Sequence, residues 1–327
     1  MEKKISRIRF LLHNRTFLKT LFSHFRKKPS LDGVEKDDFE SKKIFNYHLN
    51  FENPRTFNEK IIWLKHHYYN EKWCECADKL GSKKFLTEKG FSKYLPKTYG
   101  VYDNSKQINL EKLPQKFVLK TNHDCGTVFV CDKTKTNLKE KFEKLDNSLM
   151  SDYSCRNSNS EWVYNKIKPV IFSEEVLTDY YGGNIIDYKF FIFNGKCCFG
   201  FLGQNRNVDV RFAVFDRNFN FFNTEYIHLK PSKKDIIKKP NCWDEMVRVA
   251  EKIGSYLDFV RVDLYLTTDG IKIGELTFFS HSGLGSFTKS KYDFLFGKFF
   301  DNTKFKDLFG KQDLFPNGVF IEGETKL

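Results

Sequence analysis

The chain has 327 residues, 40% of them apolar, enough for one large domain or several lobes around a real core. No apolar run reaches the ~18 residues that span a bilayer. The eight cysteines (74, 76, 125, 131, 155, 197, 198 and 242) form no C-x-x-C pair and no zinc spacing, so reduced cysteines in a cytosolic protein are the expectation. The net charge of +13 is uneven: residues 1–30 hold nine Lys/Arg and one Glu, while the rest hold 46 basic and 41 acidic groups. The body is therefore no polycation. With no recognition motif beside the charge, nucleic acid is not an expected partner.

In the basic leader, Ile8, Leu11, Leu12, Leu18, Leu21, Phe22 and Phe25 recur near helical spacing between Arg7, Arg15, Lys19, Arg26 and Lys28. A basic amphipathic helix can lie on an anionic membrane surface or pack on the body with its charged face in water, and both readings stay open. The expected location is cytoplasmic, with peripheral attachment to the inner membrane face under the first reading. Next, Asn53-Pro54-Arg55-Thr56-Phe57-Asn58-Glu59 starts a helix, with Thr56 and Glu59 spaced as a capping box. A second helix is predicted over 76–90, strands over 117–120, 127–131 and 169–172, and a helix over 138–149. Lys189–Phe193 and Lys196–Phe199 flank Asn194-Gly195, a two-residue hairpin turn. Asn241 is expected to cap a helix whose inner face is Met246, Ala250, Ile253 and Leu257. Mixed helices and antiparallel hairpins make the predicted class α+β.

Two acids carry the chemistry. Asp263 lies in Phe-Val-Arg-Val-Asp-Leu-Tyr-Leu (259–266) and Glu275 in Ile-Gly-Glu-Leu-Thr-Phe (273–278), strand-like runs joined by Thr267-Thr268-Asp269-Gly270. A two-residue Asp269-Gly270 turn would pair Leu264 with Glu275 and separate the acids. A three-residue turn over Thr268-Asp269-Gly270 would pair Asp263 with Glu275, their Cβ atoms roughly 4.5–5.5 Å apart. Two carboxylates that close repel unless a cation lies between them. Oxygen-only ligands favour Mg²⁺. Arg261 and Thr277 share the acids' face in that register, as Asp187 shares one with Lys189. Lys120, at a strand end before Thr121-Asn122-His123-Asp124-Cys125-Gly126-Thr127, suits a phosphate, and Glu174 at a strand exit suits an adenine amino group. Alone, each also fits an ordinary surface charge.

Taken in order, these motifs resemble the ATP-grasp superfamily, and most closely the TupA-like ATP-grasp proteins of teichuronopeptide and surface-polysaccharide biosynthesis. The matching segments are Asn53 to Lys65, Ala77-Asp78-Lys79, Leu113 to His123, Asp187 to Lys196, Phe259 to Asp263 and Gly274 to Phe278. The resemblance implies an α+β ATP-grasp fold, with ATP held between two α+β subdomains. The expected divisions are a basic helical leader (1–50), an N-terminal lobe (51–112), a small subdomain with the phosphate loop (113–176) and a C-terminal subdomain with the metal site (177–327). It implies phosphate contacts from Lys79 and Lys120 and a covering loop over 122–127 that includes Asn122, His123 and Gly126. Glu174, Val176 and Leu177 are implied for adenine, and Asp187 for the nucleotide site. Lys189, Arg261 and Arg206 are implied for catalysis, and Asp263 and Glu275 for Mg²⁺. Where many superfamily members carry Asn two residues after the second acid, this chain has Thr277, a poorer metal ligand.

The activity implied is an ATP-dependent carboxylate–amine ligase working through an acylphosphate. Its carboxylate would be a uronic acid or amino acid of an anionic surface-polysaccharide precursor, and its amine an amino acid or amino alcohol. Arg55, Arg206, Arg211 and Lys289 are candidates for holding an acidic acceptor. The competing reading is a glycosyltransferase of capsule or lipopolysaccharide biosynthesis, although the chain has no Asp-x-Asp pair of the usual metal-dependent kind. A third is a non-catalytic polysaccharide-binding protein.

Overall fold

The computed structural model describes residues 33–151, 161–204, 211–226 and 238–310. The basic leader over 1–28 and Arg206 lie outside them. After α1 (Gly33–Phe45), α2 (Phe57–His67) begins at the predicted capping box: Thr56 accepts from the Glu59 N–H, and Glu59 accepts from the Thr56 N–H at 3.0 Å. The helix predicted over 76–90 is two helices, α3 (Glu71–Ala77) and α4 (Lys79–Glu88). The break is at Asp78, whose backbone is extended and whose carboxylate accepts from the Leu80 N–H at 2.9 Å. Asp favours such a cap over a helix interior.

Two antiparallel sheets follow. The first has the order β1-β4-β2-β3, from β1 (Thr98–Tyr102), β2 (Lys116–Thr121), β3 (Val128–Asp132) and β4 (Ile171–Glu174). Helix α5 (Leu138–Leu149), as predicted, sends Leu145 into a small core with Phe117, Leu119, Cys131 and Ile171. The second sheet has the order β10-β9-β5-β6-β7-β8. Its strands are β5 (Asp187–Phe193), β6 (Lys196–Gln204), β7 (Arg211–Phe215), β8 (Phe221–Glu225), β9 (Phe259–Thr267) and β10 (Gly270–Thr277). Asn194 and Gly195 form the β5–β6 turn with φ of 48° and 75°, as the sequence predicts. Strands β7 and β8 were not read from the sequence.

Alternation gives the second sheet two different faces. Tyr188, Phe190 and Ile192 point to α6 (Trp243–Gly254), where Trp243 packs on Phe190 at 5.2 Å between ring centroids. Asn241 does not cap this helix: it starts after Cys242, with no side-chain cap bond. On the other face, one end is aromatic. Phe57 of α2 meets Phe191 edge-on at 5.4 Å, and Phe300 covers Phe193 at 4.8 Å and Phe259 at 4.9 Å. Each ring contributes roughly 1.5–3 kcal/mol on burial, which fixes α2 against the sheet. The other end of the same face is charged, and there the site lies.

Candidate active site

Asp263 is flanked in the register by Lys189 of β5 and Glu275 of β10. The direct acid pair expected from the sequence is present, but the expected three-residue turn does not produce it. Gly270 pairs with Thr267 across a two-residue turn, and that register runs to Ile273 opposite Leu264. Continued unbroken, it would set Gly274 opposite Asp263 and turn Glu275 to the helix-covered face. A bulge between Ile273 and Glu275 absorbs Gly274 and brings Glu275 back opposite Asp263. A side chain at 274 would not fit, since a Cβ there would stand 2.5 Å from the Tyr265 ring.

Charges on this face are closely matched. Arg261 donates through Nε to Asp263 Oδ1 at 2.7 Å, and through Nη2 to Asp263 Oδ2 at 2.8 Å and Glu275 Oε1 at 2.7 Å. Lys189 lies 2.5 Å from Asp263 Oδ2 and 3.6 Å from Asp187. Asp263 is fully buried, which works to raise its pKa. Arg261 and then Lys189 outweigh that and hold it down to about 2. Thr277 donates to Glu275 Oε1 at 3.1 Å. It therefore orients the acid rather than adding a carboxylate-like ligand.

The donor set suits a hard dication that completes its shell with phosphate oxygens. Its acceptors are oxygen atoms only, and Glu275 keeps 36% of its side chain exposed, while both Asp263 oxygens are engaged by Arg261 and Lys189 in this arrangement and would have to be released to a metal. Among the described residues no group of three or more His, Cys, Asp or Glu is arranged to hold a metal unaided.

Lys79 opens α4 and half-buries its side chain under the 122–127 segment, donating to the carbonyls of Thr121 (2.9 Å) and Asp124. Desolvation, opposed by the charges of Asp124 and Glu275, lowers its pKa. Asp124 also accepts from Thr121 and Ser148, both at 2.6 Å, and from Thr127, so the segment is tied to α5. Asn122 is spent internally: its amide donates to Asp78 and the Lys168 carbonyl, and its oxygen accepts from the Val170 N–H. His123 is buried and donates through Nε2 to the Ser148 carbonyl at 3.2 Å. Gly126 has φ of 107°.

Glu174 ends β4 between two ammonium groups, Lys83 at 2.9 Å and Lys120. Burial works to raise its pKa, and Lys120 and Lys83 hold it below the ordinary value. Both oxygens are engaged, so in this arrangement neither is open to an adenine amino group. Val176 and Leu177 follow, half-buried and outside the strand.

Several groups at the site were missed by the sequence reading. Lys83 is one. Another is the turn Ser280–Gly283 directly after β10, where Ser280 accepts from Arg261 Nη1 at 3.0 Å. The signal available was a Ser-His-Ser-Gly string soon after the second acid. A third is Lys65, which looked like a helix-face lysine but is fully buried, 2.5 Å from Asp37.

A family model described as TupA-like ATPgrasp matches residues 59–301. The chain belongs to the TupA-like ATP-grasp family. No curated protein matches it. Among solved structures it is similar to the D-alanine–D-alanine ligase of Bacillus anthracis complexed with ATP, at 16% identity and a TM-score of 0.38 over 62% of this chain and 54% of that one. It is also similar to the N5-carboxyaminoimidazole ribonucleotide synthetase of Thermus thermophilus, at 12% identity and a TM-score of 0.35 over 62% of this chain and 45% of that one. A third is the ATP-grasp ligase PsnB complexed with minimal precursor, at 12% identity and a TM-score of 0.33 over 62% and 51%. The chain thus spans about half the length of the structures it matches. Among the described residues no helix is long and apolar enough to cross a membrane.

Proposed function

We propose that the protein is an ATP-dependent carboxylate–amine ligase that forms an amide on a uronic acid or amino acid of a cell-surface polysaccharide precursor. The observation that carries this reading is the set of Asp187, Lys189, Arg261, Asp263 and Glu275 on one sheet face, beside the Lys79-held loop. The buried charges pair with one another, and the open side of the network at Glu275 suits a charged ligand. Asp263 and Glu275 would hold Mg²⁺, which when bound neutralises the charge of the terminal phosphates. Lys79, Lys120 and Lys189 supply point charges for those phosphates. Binding the nucleotide means exchanging the Lys120–Glu174 and Lys79–carbonyl contacts for phosphate contacts, and that exchange frees Glu174 for the adenine.

A carboxylate is a poor electrophile. Its attack on the γ-phosphorus breaks the bond to the β-phosphate oxygen and leaves an acylphosphate and ADP. The amine then adds to the carbonyl carbon and phosphate departs with its electron pair. Arg261 stands where charge develops, and Lys189 beside it. The basic leader suits an acceptor assembled at an anionic inner membrane face.

The test is ADP release by the full chain with Mg-ATP, D-glucuronate and glycine. Release that depends on both co-substrates and stops in Asp263→Asn is expected. Full turnover in that variant, or thermal stabilisation by UDP-glucose but not by Mg-ATP, removes the reading and favours a glycosyltransferase.

A further inference from the structure

His281 lies beyond the paired acids, in a turn with a backbone that His and Ser seldom adopt. His281 has φ 48° and ψ 31°, and Ser282 φ 57° and ψ 19°. Left-handed non-glycine residues persist only where their surroundings over-determine them, and they cluster at functional sites. The surroundings here are specific. The Ser282 N–H donates to the Phe279 carbonyl and the Leu284 N–H to the His281 carbonyl, both at 2.9 Å. Lys65, fully buried and paired with Asp37, donates from Nζ to the Ser282 carbonyl (3.1 Å) and to the Ser282 hydroxyl oxygen (2.9 Å). Asn58 donates to the Gly285 carbonyl at 2.8 Å. Two buried polar side chains of α2 thus hold the turn that carries His281, and His281 itself remains exposed.

The turn is wired to the charged face. Arg261 Nη1 donates to Ser280 Oγ at 3.0 Å, and Ser280 Oγ lies 3.3 Å from His281 Nδ1. The Ser280 hydroxyl accepts from Arg261 and keeps its own proton, which it can donate to Nδ1; in that arrangement Nδ1 is the acceptor and the ring proton sits on Nε2. The Tyr226 ring meets the imidazole edge-on at 5.2 Å and limits its rotation.

We propose that His281 is a catalytic hydrogen-bond donor, its Nε2–H holding the carbonyl oxygen of the activated carboxylate beside Arg261 while the amine adds. This rests on the ligase reading. As the amine adds, the carbon–oxygen π pair moves onto that oxygen. The bond to phosphate then breaks, the carbonyl reforms, and phosphate leaves with the bonding pair and takes up the proton that the amine nitrogen gives up. His281 donates throughout and keeps its proton. Ser280 and Tyr226 contact the ring, and the charges of Arg261, Lys189 and Glu275 act on it. Although the residue reaches solvent, desolvation of the ring, followed by the charges of Arg261 and Lys189, keeps its pKa well below the ordinary value, so the imidazole is uncharged near neutrality.

Two measurements on the full chain test this. Hydroxamate formation from D-glucuronate, Mg-ATP and hydroxylamine is followed in the wild type, His281→Ala and His281→Gln. Removing one such donor costs roughly 100-fold in turnover. His281→Ala is expected to lose about that much with the KM for ATP unchanged, and His281→Gln, which keeps a neutral N–H, to recover most of it. Full activity in His281→Ala overturns the proposal. So does a wild-type rate limb near the ordinary histidine pKa that vanishes in His281→Ala, since it would mark a proton acceptor. Nitrogen-15 NMR of the histidine rings needs no turnover: an uncharged Nε2–H tautomer at His281 is expected, and an Nδ1–H or charged ring overturns it. No hydroxamate from the wild type sinks the ligase reading, and this role with it, while the tautomer remains measurable.

Discussion

Arg261 reaches both Asp263 and Glu275 with one guanidinium nitrogen, Nη2, at 2.8 Å and 2.7 Å. It joins a fully buried acid to a partly open one, so removing either charge leaves the others unbalanced.

Asp263→Asn takes the one acid that both Arg261 and Lys189 need. Breaking a buried ion pair by removing one partner costs about 3–5 kcal/mol, because the remaining charge keeps its desolvation penalty. Urea denaturation should show a loss of that size, alongside the loss of ADP release. A variant as stable as the wild type would mean that Arg261 and Lys189 find other partners.

Acid dependence should separate two buried carboxyls with opposite signs. Asp263 is held at about 2 in the fold, against about 3.9 in an unfolded chain. Its stabilisation is complete above about pH 4 and fades as pH falls toward 2. Asp293 is pushed up to about 6, chiefly by burial, despite accepting two bonds from Asn58. Its contribution is complete below about pH 4 and fades as pH rises through 6. Urea midpoints should therefore show the wild-type advantage over Asp263→Asn shrinking between pH 4 and 2. The advantage over Asp293→Asn should shrink between pH 4 and 6, each by about 2–3 kcal/mol.

Two lysines of similar appearance in the sequence should behave differently. Lys65→Met leaves Asp37 buried without its ammonium partner and is expected to cost about 3–5 kcal/mol. Lys43→Ala breaks an exposed pair with Glu40, with side chains 54% and 37% exposed, and is expected to cost about 0–1 kcal/mol. Equal losses in urea denaturation would contradict the burial of Lys65.

Much of this fold could be read from local chemistry. Thr56 and Glu59 announce a helix start because cap bonds are local, and Asn194-Gly195 announces a hairpin because few residue pairs turn that tightly. The acids' strand-like runs are legible from alternation, but their shared face rests on the bulge at Gly274 rather than on the three-residue turn expected for it. What escaped the reading depends on distant partners. The helix break at Asp78 depends on a cap bond competing with helix propensity. Lys65 is an ordinary lysine until Asp37 and Ser282 meet it. Glu174 reads as an adenine contact, while its salt-bridge partners Lys83 and Lys120 come from other elements that the local sequence does not name. The strands β7 and β8 are held mainly by their sheet neighbours, and their own sequence carries a weak pattern.

Deleting residues 1–28 should abolish pelleting with phosphatidylserine liposomes and leave ADP release unchanged. Undiminished pelleting of the truncated chain would refute the membrane reading of the basic leader.

Gly274 adds no functional group, yet the meeting of the two acids depends on its being surplus. The β9–β10 arm contains one residue more than its tight turn can match, and the excess is discharged one step before Glu275. A chain lacking Gly274 would keep the acids opposed with a straighter arm. A chain that instead flattened the kink would turn Glu275 toward α6 and set Gly274 opposite Asp263. The meeting of the acids therefore depends on where the extra residue is accommodated as well as on the identity of the charged side chains.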